Sequence, residues 1–77
     1  MSKSRPAQSF VVCISNRGHP VALEVRKLYQ RLADAKASRL GLLRVVDESG
    51  EDFLYPAAFF MPIRLSGALL RALRRRR

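Results

Sequence analysis

Four carboxylates lie within the six residues from Asp47 to Asp52, and they are the densest group of chemically reactive side chains in the sequence. Their oxygens could bind a hard cation, or two of them could act as a general acid and a general base. A calcium site, however, gathers six or more oxygens in a loop of defined spacing, whereas a tight turn holds its side chains apart. We therefore interpret the segment as a solvated turn that balances nearby arginines. We predict no metal site and no catalytic residue.

The single histidine and the single cysteine cannot form a metal ligand set. His19 lies between a glycine and a proline, so we expect it in a surface loop. Cys13 has apolar neighbours, which predicts a buried, unreactive thiol. Small secreted domains usually contain several cysteines, and the N-terminal segment lacks the long apolar region of a signal peptide. We therefore expect a cytoplasmic protein with no cofactor and no membrane span.

The net charge of +9 is unevenly distributed along the chain. Residues 1–46 contain nine Lys or Arg and two acids, whereas residues 53–77 contain six Arg and no acid. A basic chain favours an acidic partner, either nucleic acid or an acidic protein surface. Lysine and arginine bind the nucleic-acid backbone through counterion release, without base preference. The residues that we expect to contact nucleic acid are Arg26, Lys27, Arg31, Arg39, Arg71, Arg74, Arg75, Arg76 and Arg77.

Apolar segments on both sides of Gly50 predict a β-hairpin, for which two registers are possible. A two-residue loop pairs Val45 with Leu54 and gives mixed faces. A three-residue loop, with Gly50 in the left-handed conformation, gives one apolar face, and we prefer it because a one-residue slip inverts the faces. The neighbours expected in this register are Val45 and Phe53, Leu43 and Tyr55, and, diagonally, Arg44 and Asp52.

The remaining elements follow from short local patterns. The apolar run from Phe10 to Ile14 predicts a strand that is buried on both faces. After Pro56 we expect one tight turn over residues 57–60 and a short edge strand over residues 61–65, because Pro62 has no N–H to donate. Ser66 predicts the cap of a helix that extends from residue 67 to about residue 75. The apolar stripe of this helix consists of Leu69, Leu70 and Leu73, and with the arginines it could also dock on an anionic bilayer.

Residues 21–40 fit two patterns. The apolar residues recur at helical spacing, which favours a helix, but imperfect alternation over residues 23–32 also allows a strand. Asp34 is a suitable N-cap for one short helical turn that would end before Gly41. A strand followed by a short helix is therefore as consistent with the residues as one long helix.

Three segments together resemble a family of small bacterial proteins whose layout is similar to that of an SH3-like barrel. These are Arg26-Lys-Leu-Tyr-Gln-Arg-Leu32, Gly41-Leu-Leu-Arg-Val-Val-Asp-Glu-Ser-Gly-Glu-Asp-Phe-Leu-Tyr-Pro56 and Phe60-Met-Pro-Ile63. In such barrels a strand leads through a loop to a hairpin, and a proline-containing turn leads to the last strand. The resemblance covers residues 10–65 and implies that residues 23–32 form a strand. It implies no activity, and the absence of tryptophan argues against binding of proline-rich peptides.

Taken together, these observations predict a mainly β protein: a small SH3-like barrel of about five strands, with a short helical turn and a C-terminal helix. Residues 1–9 would form a flexible leader, residues 10–65 the barrel, and residues 66–77 a basic helix and tail. We expect the six aromatic side chains to face mostly inward and to leave no cleft. The predicted function is a non-enzymatic binding module for an acidic partner. The alternative is an accessory or assembly subunit that docks through a barrel edge or the C-terminal helix.

Overall fold

The computed structural model describes residues 9–75, without the side chains of Leu70, Arg74 and Arg75. The elements across this range are β1 (Ser9–Cys13), β2 (Leu28–Leu32), α1 (Ala35–Arg39), β3 (Leu42–Val46), β4 (Asp52–Pro56), a 3-10 turn (Ala57–Phe59), β5 (Phe60–Ile63) and α2 (Gly67–Arg75). The five strands form one antiparallel sheet in the order β4-β3-β2-β1-β5, and its two outer strands do not pair with each other. The mainly β prediction is therefore confirmed. Most of the predicted leader and the last two arginines lie outside the described residues.

The β3–β4 hairpin has the predicted register. Val45 pairs with Phe53, and Leu43 pairs with Tyr55. Gly50 has a φ of +87°, a conformation that glycine adopts at no steric cost. The predicted diagonal pair between Arg44 and Asp52 also forms, at 2.9 Å. Loop length, a left-handed glycine and the alternation of apolar residues were together sufficient to define this part of the sheet.

Both helices begin as predicted. The Asp34 carboxylate accepts a hydrogen bond from the Ala37 N–H at 2.9 Å, and Gly41, with a φ of +77°, follows the end of α1. The Ser66 hydroxyl oxygen likewise accepts a hydrogen bond from the Leu69 N–H at 3.1 Å in the first turn of α2. The alternative of one long helix over residues 21–40 is wrong. Neither α1 nor α2 has the length and apolar character that a bilayer span requires.

The strand implied for residues 23–32 is wrong in its first half, because β2 begins only at Leu28. Residues 14–27 form a long loop instead, and Arg26 interrupts the extended backbone with a φ of +74°. The loop is held at its base, where the Arg26 N–H donates to the Cys13 carbonyl oxygen at 2.7 Å. Leu23 extends from the loop into the core and is fully buried. Burial of this side chain, together with that hydrogen bond, holds the loop against the core without adding it to the sheet.

The core is small and contains only half of the aromatic side chains. Tyr29, Tyr55 and Phe60 are buried, Phe10 and Phe59 are half-buried, and Phe53 is 50% exposed. The expectation that the aromatic side chains face mostly inward is therefore only partly correct. The fully or almost fully buried residues around them are Val11, Cys13, Leu23 and Val45.

The two ends of the sheet differ. At one end, the loop of residues 14–27 contacts the hairpin tip, where the Glu48 N–H donates to the Ala22 carbonyl oxygen at 3.0 Å. We call this region, residues 14–27 with residues 47–51, the tied end. At the other end lie Ser9, its cross-strand neighbour Arg31 and the start of the 3-10 turn at Ala57. We call this region the open end, because the unclosed sheet leaves part of its interior face accessible there.

Candidate functional site

Asp47, at the tied end, is a buried and fully hydrogen-bonded carboxylate. One oxygen accepts hydrogen bonds from the N–H and the hydroxyl of Ser49, at 2.9 and 2.6 Å, and the other accepts from the Tyr55 hydroxyl at 2.5 Å. Burial by itself would raise the pKa of Asp47, but the hydrogen bonds from Ser49 and Tyr55 outweigh it and lower the pKa below its ordinary value. Burial and the neighbouring carboxylate raise the pKa of Tyr55 to about 12. The prediction of a solvated turn is therefore wrong for Asp47.

A second tyrosine and carboxylate pair lies beside the first. The Tyr29 hydroxyl donates to Glu48 Oε2 at 2.5 Å and accepts from the Glu24 N–H at 2.7 Å, so it joins the loop to the hairpin tip. Lys27 Nζ lies 2.7 Å from the same Glu48 oxygen. The hydrogen bonds from Lys27 and Tyr29 lower the pKa of Glu48. The pKa of Tyr29 is raised, mainly by burial and secondly by its hydrogen bond to Glu48. Two strand tyrosines thus hold two consecutive acids of the turn.

The Arg44 guanidinium joins two further acids. Its Nε donates to Asp34 and its Nη1 donates to Asp52, both at 2.9 Å. Asp34 is also the N-cap of α1, so this arginine links the helix to both strands of the hairpin. Within residues 9–75, no group of three or more His, Cys, Asp or Glu side chains is arranged to hold a metal ion. The carboxylates of the turn are used mainly to hold the fold together.

The cations are used very differently from the acids. Four of the six acids of the chain, Asp34, Asp47, Glu48 and Asp52, bind other side chains. The structure describes nine cationic side chains, of which only Lys27 and Arg44 lie within ion-pair distance of a carboxylate in the described part of the chain. The other seven are Arg17, Arg26, Arg31, Lys36, Arg39, Arg64 and Arg71. We call these seven the unpaired cations.

The residues predicted to contact nucleic acid do not lie together on one patch. Arg26 and Lys27 precede β2 at the tied end, and Lys27 is already bound to Glu48. Arg31 lies at the opposite end of β2, roughly 13 Å from Lys27 at about 3.3 Å per extended residue. Arg39 is exposed on α1 and Arg71 is exposed on α2. Four of the predicted contact residues remain. Arg74 and Arg75 are described by their backbone only, and Arg76 and Arg77 lie outside the described residues.

A cleft of about 340 Å³ enters the interior at the open end, which contradicts the expectation that no cleft remains. Arg31 lies directly opposite Val45, which is fully buried, so these two residues share the interior face of the sheet. The arginine is half-buried and is the only charged residue in the described lining of the cleft. The lining also includes Ser9, Leu43, Ala57, Phe60 and Pro62.

The single cysteine and the single histidine both contact neighbouring residues of the fold. Cys13 is fully buried, and its thiol donates to the Ser15 carbonyl oxygen at 3.3 Å. Burial raises the pKa of Cys13, and the hydrogen bond to Ser15 only partly offsets this effect. His19 is exposed, as expected, and its ring packs edge-on against the ring of Tyr55 with 5.0 Å between centroids. Both residues therefore have a local packing role.

Sequence patterns did not reveal the tyrosine and carboxylate pairs or the cleft. Alternation placed Tyr55 on the inner face of its strand but gave no sign that its hydroxyl would meet Asp47, eight residues earlier. The small residues Ser9 and Ala57 are the only local signal for the cleft, and they acquire this meaning once they are known to line the same cleft. Comparison of the chain with protein-family models, with curated proteins and with solved structures finds no match.

Proposed function

We propose that this protein is a non-enzymatic binding module whose partner is an acidic macromolecule, with the backbone of nucleic acid as the favoured case. The observation that carries the proposal is the unequal use of charge. Most acids bind side chains of their own chain, whereas the seven unpaired cations face no carboxylate within residues 9–75. Arginine and lysine side chains left in this state are available for phosphate oxygens.

We further propose that the fold is an SH3-like barrel and that the chain is related to the small bacterial proteins it resembles. The order of elements along the chain supports this proposal, because a hairpin, β3 and β4, is followed at Pro56 by a tight turn and then by the last strand, as expected for such barrels. A cytoplasmic location is supported by the buried, unpaired thiol of Cys13.

Binding without catalysis is supported by the state of the turn acids. Asp47 and Glu48 accept hydrogen bonds from Tyr55 and Tyr29, and the pKa values of both carboxylates are lowered. A general acid that works near neutral pH needs a raised pKa and a proton to give, which is the opposite state. These carboxylates are therefore suited to holding the hairpin tip and not to proton transfer.

The proposed contacts run along the backbone of the nucleic acid. Arg26, Arg31, Arg39 and Arg71 would each contact phosphate, and the terminal arginines of residues 74–77 would add to them. Lys27 contributes less because Glu48 already binds it. Such contacts are weak individually, show no base preference, and depend strongly on salt.

Fluorescence anisotropy with labelled short duplex and single-stranded fragments tests this proposal. At roughly 50 mM salt and micromolar protein we expect saturable binding that weakens steeply as salt rises. The variant R39Q should weaken binding and lower the salt slope by about 1. The variant K27Q is the matched comparison, since it removes the same charge from a side chain that Glu48 already binds, and it should weaken binding less. Absence of binding at low salt, or equal effects of R39Q and K27Q, would reject the proposed contacts.

The second candidate function is that of an accessory or assembly subunit. A row of apolar side chains crosses the outer face of three strands, where Leu28 pairs with Val12 and Val12 pairs with Met61. Met61 is 53% exposed and lies on β5, an edge strand in the described sheet. Sedimentation at several concentrations, and pull-down with residues 66–77 deleted, separate this candidate from nucleic-acid binding. The variant M61K should abolish any self-association that uses the row and leave anisotropy unchanged.

A further inference from the structure

The open end contains two features that belong together. One is the cleft of about 340 Å³, whose described lining is apolar apart from Ser9 and Arg31. The other is Arg31 itself, which is half-buried and has no carboxylate within ion-pair distance in residues 9–75. We infer that the open end is a binding site for a small apolar carboxylic acid, with the carboxylate on Arg31 and the hydrocarbon in the cleft.

The interior face of the sheet explains why the cleft is apolar. Tyr29 and Arg31 point to the same face of β2, opposite Val11 and Ser9 of β1. Tyr29 and Val11 are buried, so the face is continuous with the core until it reaches Arg31 and Ser9. A cleft of this volume lies at the small end of the range that protein ligand sites occupy. A short hydrocarbon chain placed there would bury apolar surface that the unclosed sheet leaves accessible.

The space itself results from two small side chains. Ser9 on β1 and Ala57 in the 3-10 turn both line the cleft, and neither is large enough to fill it. The Ala57 N–H donates to the Gly41 carbonyl oxygen at 2.9 Å, which holds the turn in place over this end of the sheet. A larger side chain at position 57 would therefore occupy the volume without removing a backbone contact.

The charge of the site selects the class of ligand. A half-buried guanidinium that lacks an anion is costly, and it gains most from a planar oxyanion that accepts two parallel hydrogen bonds. A carboxylate carries one negative charge and matches one arginine. A phosphate monoester carries about two charges near neutral pH and would need a second cation in the lining. The single arginine in an apolar cleft therefore favours a hydrocarbon chain that ends in a carboxylate.

This site is separate from the proposed nucleic-acid surface, although Arg31 belongs to both. Backbone contacts to nucleic acid need exposed cations spread over the surface and no cavity. The proposed carboxylate site needs the cavity and one cation only. A change at Ala57 alters the cavity and leaves every charge in place, so the two proposals can fail independently.

The site is tested by titration of the full-length chain with three probes. Binding is followed through the NMR spectrum of the backbone amides. The probes are decanoate below its micelle-forming concentration, acetate, and decyltrimethylammonium. We expect decanoate to give saturable shifts confined to the open end, around Ser9, Arg31, Leu43 and Ala57. Acetate has the charge without the chain, and the ammonium compound has the chain with the opposite charge, so both should bind much more weakly than decanoate.

Two variants and one control complete the test. The variant R31Q should weaken decanoate binding by roughly 10- to 100-fold, because it removes a charge-assisted bidentate contact. The variant A57L should abolish decanoate binding by filling the cleft, and should leave nucleic-acid binding unchanged. The control R39Q removes the same charge outside the cleft and should change decanoate binding less than about twofold.

The inference is overturned if decanoate does not bind, if R31Q and R39Q act equally, or if the shifts map to the tied end. If A57L fails to fold, R31Q decides the question.

Discussion

The tied end and the open end of this small sheet use their polar side chains in opposite ways. At the tied end, Tyr55 and Tyr29 donate to Asp47 and Glu48, and the long loop is joined to the hairpin tip through these contacts. At the open end, a half-buried Arg31 lies beside an apolar cleft and has no carboxylate partner among residues 9–75. The polar side chains of the tied end hold the fold together, whereas Arg31 at the open end is left available for a ligand.

This difference shows where stability and binding reside in a chain of 77 residues. A core of this size leaves little spare stability, so buried hydrogen bonds at one end matter for the whole fold. A binding site needs groups that the fold has not already satisfied. We therefore expect substitutions of the hydrogen-bonded side chains at the tied end to affect mainly the free energy of unfolding, and substitutions of Arg31 at the open end to affect mainly binding.

The largest expected effect is that of D47A. This change leaves the buried hydroxyl of Tyr55 without its acceptor and removes the hydrogen bonds to Ser49, which should cost about 2–3 kcal/mol of unfolding free energy. Urea denaturation followed by circular dichroism measures it. The control E51A lies in the same turn, with an exposed side chain that makes no hydrogen bond in the described structure, and should stay within about 0.5 kcal/mol. Equal losses in the two variants would show that Asp47 does not anchor the turn.

The second largest effect is expected from acid, which should lower the stability that the tied end contributes. The pKa values of Asp47 and Glu48 are lower in the folded chain than their ordinary values of 3.8 and 4.5. Their contribution to stability is therefore complete above about pH 5 and is lost as pH falls through the lowered folded values. Denaturation midpoints measured from neutral pH to about pH 2 should fall steeply in the parent chain and less steeply in D47N. A parent chain whose midpoint does not change below pH 4 would contradict the buried ionised carboxylate.

A smaller effect of opposite sign is expected at Arg26, at the base of the tied loop. Its φ of +74° is unfavourable for a residue with a Cβ atom and is readily adopted by glycine. The variant R26G should therefore raise the free energy of unfolding by about 0.5–1 kcal/mol, after allowance for the greater freedom of glycine in the unfolded chain. The same variant should weaken nucleic-acid binding. If R26G lowered both the free energy of unfolding and nucleic-acid binding, the result would argue against a left-handed backbone at Arg26.

The smallest stability effect is expected at the open end. The variant R31M keeps most of the length of the side chain and removes a charge that has no carboxylate partner in the described structure. Its free energy of unfolding should stay within about 0.5 kcal/mol of that of the parent. Decanoate binding should nevertheless weaken by roughly 10- to 100-fold, as in R31Q. A loss of stability above about 1.5 kcal/mol would mean that Arg31 supports the fold, and the contrast between the two ends would then fail.

The parts of the fold that sequence patterns predicted correctly depend on local rules. The register of the hairpin follows from Gly50 and from the alternation of its strands, and the start of α1 follows from the cap Asp34. Both involve residues close together in the chain. The loop over residues 14–27 was predicted as partly extended, because its conformation depends on the burial of Leu23 in a core assembled from distant strands.

The candidate sites were predicted less well than the fold, for a related reason. Charge counting locates the cations in the sequence but could not show that Glu48 binds Lys27, or that Arg31 has no carboxylate within ion-pair distance among residues 9–75. Whether the carboxylates of the turn are solvated or buried depends on contacts with strand residues such as the hydrogen bond from Tyr55 to Asp47. The cleft depends on the sizes of Ser9 and Ala57, which are far apart in the chain.

The most direct test of the tied end is an alkaline titration of its two tyrosines, which are the only tyrosines in the chain. Burial and the Asp47 carboxylate raise the pKa of Tyr55 to about 12, and burial and Glu48 raise that of Tyr29. Because both folded values lie above the ordinary value of 10.0, the stability they contribute is complete below pH 10 and is lost as pH rises through them. Ultraviolet absorbance of tyrosinate should therefore stay flat through pH 10 and rise steeply at higher pH, together with unfolding. A folded chain in which either tyrosine ionises with a midpoint near 10 would contradict the account.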